Sequence, residues 1–291
     1  MTTKTAGTLP VPPWMLAVTA MFSVQLGSAL SLPLMSQVGA GGTAWLRLTA
    51  GALIFLALAR PSLRQLTRTD TAALFALGVS TGLMTVLFLA AIERIPLGTS
   101  VAIEFLGPLT VAAVRSHTRR ALLWPALALA GVLLLTQPWR GQIDAIGIAC
   151  AAGSALGWAT YIVLTQHVGD RFSGVQGLSI TTPIAAATAA VIGVPQALGH
   201  LSVPVLVTAV GLAVLLPVLP FALEMAALRH MKPAAFGTLM ALEPAIGSAL
   251  GQVVLHQRPS AAQLAGIVLV VVAGAAAQRD GRRTPADSAI A

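Results

Sequence analysis

Four ionisable side chains fall inside stretches otherwise apolar enough for lipid: Arg47, Glu104, Glu224 and Glu243. A charge near the centre of a bilayer costs about 2.5–3.5 kcal/mol on insertion scales, so such groups usually face a cavity. A carboxyl there can take up a proton or hold an ammonium group, and an arginine can hold a carboxylate. Glu104 stands four residues before Pro108, and Glu243 directly precedes Pro244. A proline inside a helix frees the carbonyl four residues back. That carbonyl is Glu104's own for Pro108 and Met240's for Pro244, so each site pairs a carboxylate with an unpaired carbonyl, which suits a proton or an ammonium. The competing reading is a structural glutamate, neutral and hydrogen-bonded to a neighbouring helix. Glu224 lies five residues before Arg229, near enough to the end of its stretch to reach the headgroups. Arg47 sits a few residues inside the outer end of its own, from where it can snorkel or bind a carboxylate. Trp158 and Tyr161 are three residues apart on one helical face. Trp158 is too deep for an interfacial belt, so it lines a pocket or wedges between helices.

These residues need elements that carry them into a bilayer, and the composition supplies them. Of 291 residues, 56% are hydrophobic and 9% charged, against roughly 25% charged in a soluble domain. Mean hydropathy is +0.86. A helix crosses about 30 Å of hydrocarbon with about 20 apolar residues. Ten such stretches follow one another: 14–35, 42–59, 71–92, 97–114, 121–138, 146–166, 174–193, 203–225, 234–254 and 261–278. The fold class is therefore all-α integral membrane, with ten transmembrane helices. The first stretch reads as a retained helix, because no A-x-A-like cleavage site ends it.

Basic residues orient the helices. With the N-terminus cytoplasmic, that side holds Lys4, Arg60, Arg64, Arg68, Arg115, Arg119, Arg120, Arg171, Arg229, Lys232, Arg279, Arg282 and Arg283. The far side holds Arg94, Arg140 and Arg258. The alternation, 13 against 3, supports both the helix count and cytoplasmic termini, and an inner-membrane location. Trp14, Trp124 and Trp139 fall near stretch ends, where amphipathic rings settle.

The halves resemble each other. Leu129-Ala130-Gly131-Val132 matches Leu264-Ala265-Gly266-Ile267 at an offset of 135, and Pro108 matches Pro244 at 136. Pro96 corresponds to Pro233, and Gly27-Ser28-Ala29-Leu30 recurs as Gly153-Ser154-Ala155-Leu156 at a shorter offset. Five spans per half is an odd number, so the second half enters from the opposite side. Two inverted five-helix repeats, 14–138 and 142–278, precede a polar tail, 279–291. Inverted repeats around a midplane site are the plan of many secondary transporters. Gly153-x-x-x-Gly157 and Gly247-x-x-x-Gly251 read as close helix packing.

Several chemistries lack their residues. Cys150, a single cysteine, permits neither an internal disulfide nor a cysteine metal site, and the histidines lack ligand spacing. No Walker-type loop binds ATP, and no cofactor is implied. The basic residues form no stripe with interleaved aromatics, which argues against nucleic acid. The partners that remain are the lipid bilayer, a small solute, a proton as coupling ion and a second copy in a homodimer. An importer or exchanger of another metabolite is the principal rival to an exporter. An intramembrane enzyme lacks a catalytic constellation, and a sensor lacks a soluble effector domain.

Arg229-His230-Met231-Lys232-Pro233, Leu242-Glu243-Pro244-Ala245 and Gln263-Leu264-Ala265-Gly266 resemble the EamA family of the drug/metabolite transporter superfamily. Val101-Ala102-Ile103-Glu104-Phe105 with Gly107-Pro108, Leu219-Pro220 with Leu223-Glu224-Met225, and Phe236-Gly237-Thr238-Leu239-Met240 are similar to that family's threonine/homoserine-exporting subgroup. Arg47-Leu48 and Trp158-Ala159-Thr160-Tyr161 also fit it. The resemblance implies ten helices in two inverted repeats and efflux of amino acids or related metabolites, by proton antiport in the reading above. His256-Gln257-Arg258 stands where EamA repeats often carry Gly-Glu after the ninth helix, so no role is carried over there.

Overall fold

A computed structural model of the chain describes residues 11–59, 67–115, 122–137, 144–168, 175–228, 230 and 233–280. The described residues are helical and include no strand. Ten helices follow one another: α1 (Pro13–Ala29), α2 (Leu32–Leu58), α3 (Arg68–Ile92), α4 in two pieces (Leu97–Glu104 and Leu106–Arg115), α5 (Leu123–Thr136), α6 (Ala145–Val168), α7 (Val175–Ala197), α8 (Val203–Leu228 with an unwound centre), α9 in two pieces (Pro233–Met240 and Glu243–Leu255) and α10 (Ala261–Asp280). α2, α3, α4, α6, α7 and α8 are each long and apolar enough to cross a membrane, and α5 and α10 are shorter apolar helices. Large apolar side chains point outward, including Val114, Leu156 and Val191, each more than 70% exposed. The interior holds Arg47, Glu243 and a set of serines and threonines. With mean hydropathy of +0.86, this is a multi-pass membrane protein turned toward lipid.

The packing repeats itself between the halves. α2 packs on α7, α4 on α9 and α5 on α10, so these three seams each join a helix to its counterpart five places on. Three further seams come in matched pairs. α3 on α6 matches α8 on α1, α4 on α6 matches α9 on α1, and α3 on α7 matches α8 on α2. Short connections make successive helices antiparallel, and five helices per half make counterparts run in opposite directions.

Seams between counterparts bring glycines to their closest points. A Cβ on Gly131 would lie 2.6 Å from the Gly266 carbonyl oxygen, and one on Gly266 would lie 2.6 Å from that of Gly131. The repeated Leu-Ala-Gly segment is thus where α5 and α10 cross backbone to backbone. A Cβ on Gly98 of α4 would stand 2.8 Å from Cβ of Ser248 on α9, and Gly193 of α7 abuts Gly41 of α2. The Gly-x-x-x-Gly segments pack as their spacing predicts: Gly153 and Gly157 admit Leu87 and Met84 of α3, and Gly247 admits Val101 of α4.

The first two spans differ from the apolar stretches. α1 ends at Ala29 instead of 35, and α2 starts at Leu32 instead of 42. Ser31 makes the turn: its N–H donates to the Ser28 carbonyl at 3.1 Å and its hydroxyl to that of Gly27 at 2.7 Å. A turn that satisfies its own polar groups leaves no trace in hydropathy. α2 then kinks at Gly39, whose φ of 74° and ψ of 168° suit glycine. Gln196 of α7 braces the kink, its side-chain oxygen accepting from the Gly42 N–H at 3.2 Å.

Three helices break at mid-length, and here too the structure corrects the sequence. Pro108 and Pro244 do not kink continuous helices. They stand third in the second piece of α4 and second in that of α9, within the first turn, where N–H groups lack helical partners and proline is tolerated. α8, expected to be continuous, unwinds at Val214–Val218, where Leu216 is extended. Irregular backbone at membrane depth needs protein partners or a cavity. It has both: the Ser23 hydroxyl of α1 donates to the Leu215 carbonyl at 2.7 Å, and Leu216 and Pro217 border the cavity described next.

Candidate functional site

The breaks in α4, α8 and α9 surround a cavity of about 300 Å³. All six polar and aromatic candidates border it: Arg47 from α2, Glu104 from α4, Trp158 and Tyr161 from α6, Glu224 from α8 and Glu243 from α9. Pro108 and Pro244 do not line it; they start the helices that follow the breaks. Glu104 closes the first piece of α4, and Glu243 opens the second piece of α9. Helices from both halves contribute to one site.

The surroundings of the charged groups differ. Arg47 is 3% exposed, so it does not snorkel to the headgroups. The turn at Ser31 returns the chain beside it, and its Nη1 donates to the Ser31 hydroxyl at 3.3 Å. A guanidinium has five N–H donors, and no carboxylate among the described residues pairs with this one. Glu243 is 6% exposed and has no hydrogen-bond partner among the described residues. Glu104 accepts from the Ser154 hydroxyl of α6 at 2.5 Å. Glu224 is half-buried on the cavity wall and does not reach for headgroups. Glu104, Glu224, Glu243 and Tyr161 line the same cavity. Trp158 stacks edge-on against Phe105, the residue at the break in α4, at 6.2 Å between ring centroids. It therefore both borders the pocket and wedges α6 against α4.

Sequence reasoning missed part of the wall. Gln25 and Ser28 of α1, Thr81 and Thr85 of α3, and Thr181 and Thr182 of α7 also face the cavity. Gln25 had a signal, as a carboxamide deep in an apolar stretch; it is 2% exposed and its Oε1 has no hydrogen-bond partner among the described residues. The threonines had none, because a threonine can satisfy itself on its own helix, as Thr81 and Thr85 do on the Leu77 and Thr81 carbonyls. Among the described residues no His, Cys, Asp and Glu side chains group closely enough to hold a metal ion.

Among the described residues the wall therefore presents one arginine without a carboxylate partner, on α2, and three carboxyl groups, on α4, α8 and α9. Such a cavity can hold a small molecule bearing both an anionic and a cationic end, and it can exchange protons.

Sequence comparison bears on the same point. The chain is 36% identical over 271 residues to the threonine/homoserine exporter RhtA of Escherichia coli K12, covering 90% of this chain and 91% of that protein. It is 34% identical over 286 residues to RhtA of Salmonella typhimurium LT2, covering 96% of each. Residues 145–276 match the model of the EamA-like transporter family. The chain belongs to that family. The EamA match spans α6 to α10, the second half of the fold. A solved crystal structure aligns with 91% of this chain and 98% of its own at a TM-score of 0.59 and 21% identity, a likeness of fold. Where EamA repeats were expected to carry Gly-Glu, this chain caps a helix: Gln257 Oε1 accepts from the Leu97 N–H at 3.2 Å, at the start of α4. Arg60, Arg64, Arg119, Arg120, Trp139, Arg140, Arg171, Arg229, Lys232, Arg282 and Arg283, with Lys4, lie outside the described residues.

Proposed function

We propose that this protein exports threonine, homoserine or closely related amino acids across the bacterial inner membrane by proton antiport, with both termini cytoplasmic. One observation carries the reading. A buried arginine without a carboxylate partner and three carboxyl groups border a single cavity at the breaks of three helices. Arg47 takes the substrate carboxylate, and the carboxyl cluster takes the ammonium group. A carboxylate that holds an ammonium must give up its proton, so substrate and proton exclude each other. That exclusion is the linkage an antiporter needs. The direction and cargo rest on the relatives, which are named as exporters of threonine and homoserine. No enzymatic step is part of the reading.

The repeats 14–138 and 142–278 alternate around this cavity, opening it to one side and then the other. The excess of basic residues assigned to the cytoplasmic side supports cytoplasmic termini. In inverted vesicles with an imposed proton gradient, Glu243→Gln should abolish gradient-driven threonine uptake while the protein still reaches the membrane. Undiminished uptake by that variant would sink the assignment. A panel of amino acids in counterflow defines the cargo, and a wild type that moves none of them removes the proposal.

A further inference from the structure

Ser154 lies on α6 at 0% exposure, and its hydroxyl has two neighbours. Oε1 of Glu104 on α4 is 2.5 Å away, and the carbonyl oxygen of Met84 on α3 is 3.1 Å away. A hydroxyl has one proton to donate. When Glu104 is ionised, both neighbours are acceptors and only one can be served. The carboxylate prevails, because charge-assisted hydrogen bonds are roughly twice as strong as neutral ones. When Glu104 is protonated, its own O–H can donate to Ser154, and the Ser154 proton goes to Met84. A chain of two bonds then joins α4, α6 and α3.

We infer that Ser154 is a positioning residue that transmits the protonation of Glu104 to the α3–α6 seam. The inference rests on the proton-coupled transport proposed above. The seam is tight at this level: a Cβ on Gly157 would meet Cβ of Met84 at 2.9 Å, and one on Gly153 would meet Leu87 at 3.0 Å. Its counterpart, the seam of α1 with α8, carries a similar stitch from Ser23 to the Leu215 carbonyl, but no carboxyl group competes for that serine among the described residues. Two seams matched by the repeat thus answer differently to a proton. The other groups that face Glu104 are Glu243 from α9, Glu224 from α8, Arg47 from α2 and Tyr161 from α6, with Cys150 one turn before Ser154. α3, α5 and α10 contribute no titratable side chain to the cavity.

The test measures L-threonine transport by the full-length protein in proteoliposomes across a pH series. Ser154→Ala should move the pH of half-maximal transport upward by about half a unit or more, since it removes the bond that favours the ionised carboxyl. Ser80→Ala is the control: Ser80 donates to the Gly157 carbonyl at 2.9 Å across the same seam without touching Glu104. It should scale the profile down without moving it. Ser154→Cys, with a weak donor of similar shape, should shift the profile in the same direction and serves if the alanine variant does not reach the membrane. A Ser154→Ala or Ser154→Cys profile that superimposes on wild type after scaling overturns the inference and leaves the proposed function standing. A wild type that moves no amino acid overturns both.

Discussion

Replacing Gly131 or Gly266 by alanine should part α5 from α10, and the two substitutions should not add. Each new Cβ would stand 2.6 Å from the opposite carbonyl oxygen. Ordinary contact begins at about 3.4 Å, so the helices must separate by about 0.8 Å. A gap of that size forfeits a quarter to a half of each contact along the seam. Overpacking of this kind costs about 1–3 kcal/mol, offset by up to about 1 kcal/mol from the better helix propensity of alanine. The separation that relieves one clash also relieves the other, so the double variant should cost little more than either single one. Thermal unfolding of the detergent-solubilised protein, followed by loss of the monodisperse peak, measures this. Each single variant should lose several degrees, and the double variant clearly less than their sum. Gly211→Ala, where nothing lies within 4 Å of the new Cβ, should hold or gain. The KM should stay put in the α5 and α10 variants, since neither helix borders the cavity. Additive losses, or a Gly131→Ala protein as stable as wild type, would refute the crossing geometry.

Three further outcomes can be checked. Gly39→Ala forces a side chain into a backbone at φ 74° and against Gln196 Oε1, 2.5 Å from the new Cβ, so it should cost about 1–3 kcal/mol, read by the same thermal assay. Arg47→Leu should raise the KM for threonine about 10- to 100-fold, the worth of one charged hydrogen-bonding contact of about 1.5–3 kcal/mol. Arg47→Lys should recover only part of it, because it keeps the charge but not the fork; threoninol, lacking the carboxylate, should be indifferent to both. Asp144, outside the spans, accepts from the Gly147 N–H at 2.7 Å at the start of α6 and pairs with Arg94 at 3.4 Å. That backbone bond first, then Arg94, holds its carboxyl below the usual range. A depressed carboxyl stabilises the fold above its unfolded pKa of about 4 and loses that contribution as pH falls through the folded value. Wild type should therefore be the more stable above about pH 4, and the gap to Asp144→Asn should close below it, in unfolding measured from pH 6 to 3.

How much of this was legible depended on which property the sequence carries. Ten apolar stretches were readable because lipid demands them, and a repeated Leu-Ala-Gly was readable because backbone crossings demand glycine. The turn at Ser31 was not, since it bonds within itself and looks as apolar as its neighbours. That omission misplaced Arg47, whose surroundings depend on a residue 16 positions earlier. The prolines marked the right places in α4 and α9 but not the right geometry, because a proline that starts a helix and one that kinks it read alike. Pro217 and Pro220 stood in plain view in α8, yet the unwinding there depends on Ser23 of α1 to take up the Leu215 carbonyl. The meeting of Glu104, Glu224 and Glu243 in one cavity depends on how α4, α8 and α9 pack, which their separate stretches of sequence do not encode.

The seams between counterpart helices have a mechanical consequence. Ridges of side chains that mesh with grooves hold two helices at one angle, like gear teeth. α2 with α7, α4 with α9, and α5 with α10 meet instead through Gly41 and Gly193, Gly98 and Ser248, and Gly131 and Gly266. At those points backbone meets backbone, while Ile192, Gln196 and Trp45 at the first seam and Leu135 and Val270 at the third fill the grooves beside the glycines. A side chain added at any of these glycines would change how the two halves fit together, from positions that do not line the cavity.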